Sequence, residues 1–136
     1  MLVVVVLAAA AIVVAVVVER RRRPDPPTQP TWAVPAQLDR ADFASPEVPW
    51  LVVVFSSTTC LSCGATWEKA RHLASPAVAV QEVEVGARRD LHDRYGIEAV
   101  PTVVVADADG VVRASFLGPP TATDLWAAVA EVREPG

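Results

Sequence analysis

Only two of the 136 residues are cysteines, and they stand three positions apart as Cys60 and Cys63. A secreted disulfide scaffold carries several separated cysteine pairs, so the sequence excludes that class of protein. Histidine is equally scarce, with His72 and His92 alone. A zinc site needs four ligands, and these residues do not have the spacing of a zinc finger. We therefore expect no metal and no organic cofactor, and we interpret the two cysteines as a single redox pair.

Basic residues are also fewer than acidic ones. The chain has 12 Lys and Arg residues against 16 Asp and Glu residues, which gives a formal net charge of −4. A nucleic-acid-binding surface needs a basic face that can neutralise phosphates. We therefore expect no nucleic-acid partner.

Hydrophobic residues are concentrated at the N-terminus. From Leu2 to Val18 the chain contains only Leu, Val, Ala and Ile, about 17 residues, which is the lower end of what crosses a bilayer as a helix. A cleaved secretory signal would need a basic stretch before this segment and a small-residue cleavage site after it, and neither is present. The sequence therefore predicts a single-pass transmembrane anchor over residues 1–18.

The anchor is followed by a linker, predicted over residues 19–35. Its basic run, Arg20 to Arg23, predicts a cytoplasmic domain, because positive residues beside a membrane helix stay on the cytoplasmic side. An extracytoplasmic domain remains the alternative, because a short anchor with a small tail inserts in either direction. The prolines between Pro24 and Pro30 favour an extended spacer. A globular domain is predicted over residues 36–136.

The cysteines follow the most strand-like segment of this domain. Val52 to Phe55 is a run of β-branched and aromatic residues, a polar turn follows, and Cys60 is predicted to begin a helix capped by Thr58 or Thr59. At a helix N-terminus, free N–H groups and the helix dipole favour a thiolate over a thiol. The pattern predicts Cys60 as the attacking sulfur and Cys63 as the sulfur that resolves a mixed disulfide.

The rest of the domain alternates between strand and helix patterns. A capped turn is predicted at Asp39, a helix to Ala74, a strand over 77–85, a helix over 88–95 closed by Gly96, strands over 100–105 and 111–116 joined by a hairpin turn, and a last helix capped by Thr121 or Thr123. Inward-facing side chains are predicted on the two longer helices, namely Trp67, Ala70, Leu73, Ala74, Leu125, Trp126, Val129 and Val132. We interpret His72 and His92 as solvated or as partners of a helix dipole.

Phe55 before the C-x-x-C pair and the later segment Tyr95 to Thr102 (Y-G-I-x-x-V-P-T) together resemble the thioredoxin family over about residues 38–132. The resemblance implies an α/β, thioredoxin-like fold, in which a central mixed β-sheet is flanked by helices, here preceded by one N-terminal transmembrane helix. In that family the proline is cis and lies against the cysteine pair. Carried over, Pro101 would be cis, Val100 would offer its backbone to the substrate, and Val100, Pro101 and Thr102 would form the substrate-binding segment.

The sequence also departs from the family pattern. Thr59 to Cys63 reads Thr-Cys-Leu-Ser-Cys where typical thioredoxins have Trp-Cys-Gly-Pro-Cys, so the redox potential cannot be inherited. The family's buried acid corresponds to Val54, and the lysine partner of that acid corresponds to Glu82. Deprotonation of Cys63 must then rely on water or on a nearby group such as Glu82 or Glu84.

These patterns predict a membrane-anchored thiol–disulfide oxidoreductase. Its substrates would be disulfides in proteins or small molecules, and an unidentified reductase or oxidant would return the cysteine pair to its starting state. One alternative is a non-catalytic thioredoxin-fold binding module at the membrane. A second is an extracytoplasmic oxidant, isomerase or cytochrome-maturation-type reductase.

Overall fold

The computed structural model describes residues 1–21 and 33–134, without the side chains of residues 19–21. The chain divides into two compact units, Met1–Thr31 and Trp32–Gly136. Residues 22–32 of the predicted linker lie outside the described residues, and with them lie Arg22, Arg23 and all the linker prolines up to Pro30. The extended spacer therefore stays a prediction.

In the first unit, the described residues 1–21 form one helix, α1, at Leu2–Arg21. Its large apolar side chains are exposed along the whole segment to Val18. Among the residues that the structure describes, no helix combines the length and the hydrophobicity needed to cross a membrane. The helix at the N-terminus is thus confirmed, and its transmembrane character is not supported.

The second unit is built on a four-stranded mixed sheet. Its strands are β1 (Trp50–Ser56), β2 (Val78–Glu84), β3 (Thr102–Ala106) and β4 (Val112–Leu117), in the order β2-β1-β3-β4. β1 pairs parallel to β2 and antiparallel to β3, and β3 pairs antiparallel to β4. From Leu51 to Phe55, β1 is fully buried on both faces, which is why its sequence is a continuous apolar run rather than an alternating one. The predicted central strand is confirmed.

Helices cover both faces of this sheet. They are α2 (Cys63–Arg71), α3 (Arg89–Arg94) and α4 (Ala122–Arg133), and a 3₁₀ turn at Arg40–Asp42 precedes β1. On one face, β1 contributes Val52 and Val54 to a core with residues of α2 and α4, including Ala70, Leu125 and Val129. On the other face, Leu51, Val53 and Phe55 pack with residues around α3 and the 3₁₀ turn, including Leu38, Phe43, Val83 and Leu91.

Two predicted caps are confirmed. Asp39 accepts a hydrogen bond from the N–H of Ala41 and caps the 3₁₀ turn. Thr121, not Thr123, caps α4, because its Oγ1 accepts from the N–H of Asp124 at 3.0 Å. Both side chains satisfy a donor that the helix itself leaves free.

Two residues that were predicted to face inward are exposed, so these predictions are wrong. Trp126 is 46% exposed, and its indole Nε1 donates a hydrogen bond to the carbonyl of Lys69 at 3.2 Å, so the ring lies across the surface between α4 and α2. Ala74 is exposed because α2 ends at Arg71, before the helical pattern can turn this residue to the core. Trp67 packs against the core of the α2 and α4 face, as predicted.

Candidate active site

The two cysteines form a disulfide between the end of β1 and the start of α2. Their Cα atoms are 5.5 Å apart. Only Cys63 lies in the helix, as its first residue, and Cys60 lies in the turn before it. The prediction that Cys60 begins the helix is therefore wrong: its N–H instead bonds to the carbonyl of Ser57, which closes a separate turn.

The cap predicted for this helix is also wrong. The N-cap residue is Ser62, not Thr58 or Thr59, and its side chain makes no capping hydrogen bond. The Ser62 carbonyl instead accepts from both the N–H and the Oγ1 of Thr66, which is fully buried. Thr66 therefore fixes the first turn of α2 behind the cysteines, a role that no motif in the sequence indicates.

The two cysteines differ in exposure. Cys63 is only 2% exposed, whereas Cys60 is half-buried. Between them, Leu61 is fully exposed at 103%. Cys60 is thus the more accessible residue of the pair. An attacking sulfur must reach the substrate, whereas a resolving sulfur needs to reach only the attacking one.

The peptide bond between Val100 and Pro101 is cis, as predicted. Pro101 directly precedes β3, whose first residue, Thr102, pairs with Phe55 near the end of β1. Two hydrogen bonds fix the segment: Gly118 N–H donates to the Pro101 carbonyl at 2.8 Å, and Thr102 Oγ1 donates to the Ala99 carbonyl at 2.7 Å. The sheet therefore brings this segment to the same end as the cysteines.

This arrangement is similar to that of solved thioredoxins. A mutant thioredoxin from Halobacterium salinarum matches with a TM-score of 0.60 and 22% identity, over 75% of this chain and 96% of that one. The domain therefore has a thioredoxin-like fold. The germline-specific thioredoxin Deadhead from Drosophila melanogaster gives a TM-score of 0.57 and 24% identity, over 65% and 85% of the two chains. Fasciola hepatica thioredoxin gives a TM-score of 0.54 and 27% identity, over 61% of this chain and 80% of that one.

No family model and no curated protein sequence matches the chain. At these identities the solved structures establish the fold, including its mixed sheet. The chemistry of this thioredoxin-like domain must therefore be argued from its own residues.

A cavity of about 370 Å³ opens beside the disulfide. Its lining residues come from the turn, the start of α2 and the end of β2: Ser57, Thr58, Cys60, Leu61, Cys63, Gly64, Glu82 and Glu84. Val100, Pro101 and Thr102 are not among them, so the predicted substrate-binding segment lies outside this cavity. Both cysteines instead share this cavity with the carboxylates of Glu82 and Glu84.

Glu82 is oriented by the neighbouring strand. The parallel register pairs it with Val54, and the hydroxyl of Ser56, a residue only 1% exposed, donates to Glu82 Oε1 at 2.7 Å. Glu82 itself is exposed. Sequence reasoning did not find the Ser56 contact, because it depends on the pairing of two strands whose contacting residues lie 26 positions apart.

Glu84 is engaged with the backbone. Its carboxylate accepts from the N–H of Ala87 at 2.9 Å and from the N–H of Thr58 at 3.4 Å. The N–H groups of Gly86 and then Ala87 lower the pKa of Glu84, because they favour its charged form. Glu84 therefore ties the cysteine-containing turn to the loop after β2.

His92 is not solvated, so that interpretation is wrong. The residue is 4% exposed, and its Nε2 lies 2.8 Å from the carbonyl oxygen of Val83. Its ring stands edge-on to Phe55 at 5.3 Å between ring centres. His92 thus connects α3 to the sheet, whereas His72 is exposed at the end of α2, as expected.

Metal binding has no candidate ligand set in residues 1–21 and 33–134, where no group of three or more His, Cys, Asp or Glu residues converges.

Proposed function

We propose that this protein is a thiol–disulfide oxidoreductase that acts on disulfides of proteins or small molecules. The observation that carries the proposal is the Cys60–Cys63 disulfide at the β1–α2 junction of a thioredoxin-like fold. The unequal exposure of the two residues supports Cys60 as the attacking sulfur and Cys63 as the resolving one.

In the reducing direction, the Cys60 thiolate attacks one sulfur of the substrate disulfide, and the other substrate sulfur leaves as a thiolate. Cys63 loses its proton and attacks the Cys60 sulfur, which forms the Cys60–Cys63 disulfide and releases the second substrate thiolate. Two electrons pass from the cysteine pair to the substrate, and the substrate thiolates take protons from water. An external reductase or oxidant then resets the pair.

The segment Val100, Pro101 and Thr102 is proposed to dock the substrate chain. Among the described residues, Val100 makes no backbone hydrogen bond, whereas the Pro101 carbonyl is occupied by Gly118. An extended substrate segment can therefore pair with the N–H and C=O of Val100, as a strand added to an edge does.

Insulin-disulfide reduction by a thiol reductant tests the proposal. The full-length chain in detergent should accelerate the reaction, and a Cys60→Ser variant should run at the background rate, because it lacks the attacking sulfur. Equal rates for the two proteins would favour the alternative, a binding module that has kept the fold without the chemistry.

The direction of electron flow follows from the reduction potential of the pair, measured by equilibration with glutathione. A potential near about −270 mV suits a reductant, and one near about −120 mV suits an oxidant. We propose a reductant facing the cytoplasm. A high potential would instead favour the extracytoplasmic oxidant or isomerase, and a low potential with the domain outside the cytoplasm would favour the cytochrome-maturation-type reductase.

We also propose that α1 attaches the domain to a membrane. The support is chemical: between Leu2 and Val18 every side chain is apolar, and all are exposed. Alkaline carbonate extraction separates an inserted helix, which stays with the bilayer, from a peripheral one, which is released. A reporter that is active on one side of the membrane, fused to Gly136, tests the cytoplasmic orientation, and activity outside alone would overturn it.

A further inference from the structure

We propose that Glu82 accepts the proton that Cys63 must lose before it attacks Cys60. This inference rests on the proposed exchange chemistry and adds a named proton acceptor to it. It is carried by the cavity of about 370 Å³ that Glu82 shares with both cysteines.

The need for a proton acceptor follows from the position of Cys63. A thiol attacks a disulfide as its thiolate, so the resolving step requires deprotonation. Cys63 is only 2% exposed, so it has little direct contact with bulk solvent. The cavity that Cys63 lines is large enough for several waters, at about 30 Å³ each. A proton can therefore pass through the cavity to a base on its wall.

Two carboxylates line that wall, and their hydrogen bonds distinguish them. Glu84 accepts from the backbone N–H groups of Ala87 and Thr58, which stabilise its charged form and make it a poor proton acceptor. Within the described residues, Glu82 accepts a side-chain hydrogen bond only from Ser56 Oγ. The carboxylate of Glu82 thus has fewer donors than that of Glu84, and its exposure lets it pass a proton on to solvent.

Further charged groups lie on β2 itself and on the two helices that pack against it. On β2 there is Glu84, and on α3 there is His92, whose Nε2 lies 2.8 Å from the Val83 carbonyl oxygen. On α2, Glu68 pairs with Arg71, and Lys69 Nζ donates to the Pro120 carbonyl. None of these α2 or α3 groups lines the cavity, so Glu82 and Glu84 are its ionisable groups apart from the cysteines.

An aromatic disulfide whose thiolate product is coloured separates the two sulfur steps in stopped-flow. The first equivalent of coloured thiolate reports attack by Cys60, and the second reports resolution by Cys63. In the reduced full-length protein, Glu82→Gln should slow the second step about tenfold or more, because loss of a general base typically lowers a rate by about a hundredfold or more. The rate of the first step should stay within about twofold of wild type.

Glu84→Gln is the matched control, because it removes a carboxylate from the same cavity and strand. It should slow the second step much less than Glu82→Gln does, and Glu82→Asp should restore part of the rate. Ser56→Ala, which removes the hydroxyl that orients Glu82, should slow the second step less than Glu82→Gln does. It also serves as the test if Glu82→Gln does not fold.

Equal slowing by Glu82→Gln and Glu84→Gln, or an unchanged second step in Glu82→Gln, would overturn the role of Glu82. Where Glu82→Gln does not fold, an unchanged second step in Ser56→Ala would do the same. Absence of the first step in the wild type would instead overturn the proposed function. The two failures therefore give different traces.

Discussion

The two ends of the central strand β1 are stabilised in different ways. Before its start, the buried guanidinium of Arg40 donates to three backbone carbonyls, those of Asp107 at 3.0 Å, Ser45 at 3.2 Å and Val48 at 2.7 Å. Arg40 is only 7% exposed. One side chain therefore connects the 3₁₀ turn, the loop before β1 and the hairpin after β3.

The end that carries the cysteines is tied more loosely. Its turn is closed by short-range contacts, such as that between Ser57 Oγ and Thr59 Oγ1 at 3.0 Å, and by the long bond from Thr58 N–H to Glu84. The cavity of about 370 Å³ lies against this turn. The comparison indicates that stability is concentrated at the Arg40 end and exchange chemistry at the cysteine end, so substitutions should separate the two.

The largest effect is expected at the cysteine end, from Cys63→Ser. Cys60 should still attack, but the mixed disulfide cannot be resolved, so turnover of insulin should fall by at least about a hundredfold. One equivalent of coloured thiolate per chain should be released from the aromatic disulfide, where the wild type releases two. Mass spectrometry should find the adduct on Cys60.

Cys60→Ser is the control for this experiment and should form no adduct. A stable adduct on Cys63 in that variant, formed as fast as on Cys60 in Cys63→Ser, would reverse the assigned order of the two sulfurs.

At the other end, Arg40→Ala should lower the free energy of unfolding by about 2 to 3 kcal/mol, because it leaves three carbonyls without their donor. Urea denaturation monitored by tryptophan fluorescence measures this change. The rate of the first thiolate release should stay within about twofold of wild type.

Arg71→Ala is a matched control, since Arg71 pairs with Glu68 on the surface of α2 with both side chains about half exposed or more. Arg71→Ala should lower the free energy of unfolding by less than about 1 kcal/mol. The separation of the two ends would be wrong if Arg40→Ala lowered the free energy of unfolding no more than Arg71→Ala does. It would also be wrong if Arg40→Ala slowed the first thiolate release well beyond twofold.

The sequence was informative where a pattern is local. The apolar run of β1, the strand over 77–85, the turn at Asp39 and the cap at Thr121 each depend on neighbouring residues, and each is found. The family resemblance added the cis bond at Pro101, which no periodicity indicates.

The sequence was less informative where a contact joins distant segments. No local pattern indicates that Arg40 is buried, because one of its carbonyl partners lies 67 residues away. His92 lies in a short polar helix, and only the packing of that helix on Phe55 buries it. Trp126 fits an inward-facing helical pattern, yet the carbonyl of Lys69 offers its indole N–H a partner at the surface. Each of these required the tertiary structure.

The smallest effect is expected from Asp107→Asn, which changes charge at the Arg40 end while keeping shape. Asp107 Oδ1 accepts from the N–H groups of Asp109 and Val111, which Asn can still satisfy, so only the pair with Arg113 is lost and the cost at pH 7 should be below about 1 kcal/mol. Burial alone would raise the pKa of Asp107, but Arg113 and these N–H groups lower it below its usual value.

The charged form of Asp107 therefore stabilises the folded state above about pH 4, and this contribution is lost as the pH falls through the lowered pKa. The difference in stability between wild type and Asp107→Asn should accordingly shrink when urea denaturation is repeated from pH 7 down to about pH 3. A difference that stayed constant over this range would mean that the Arg113 pair adds nothing, and that the Arg40 end is stabilised by its hydrogen bonds to backbone carbonyls rather than by paired charge.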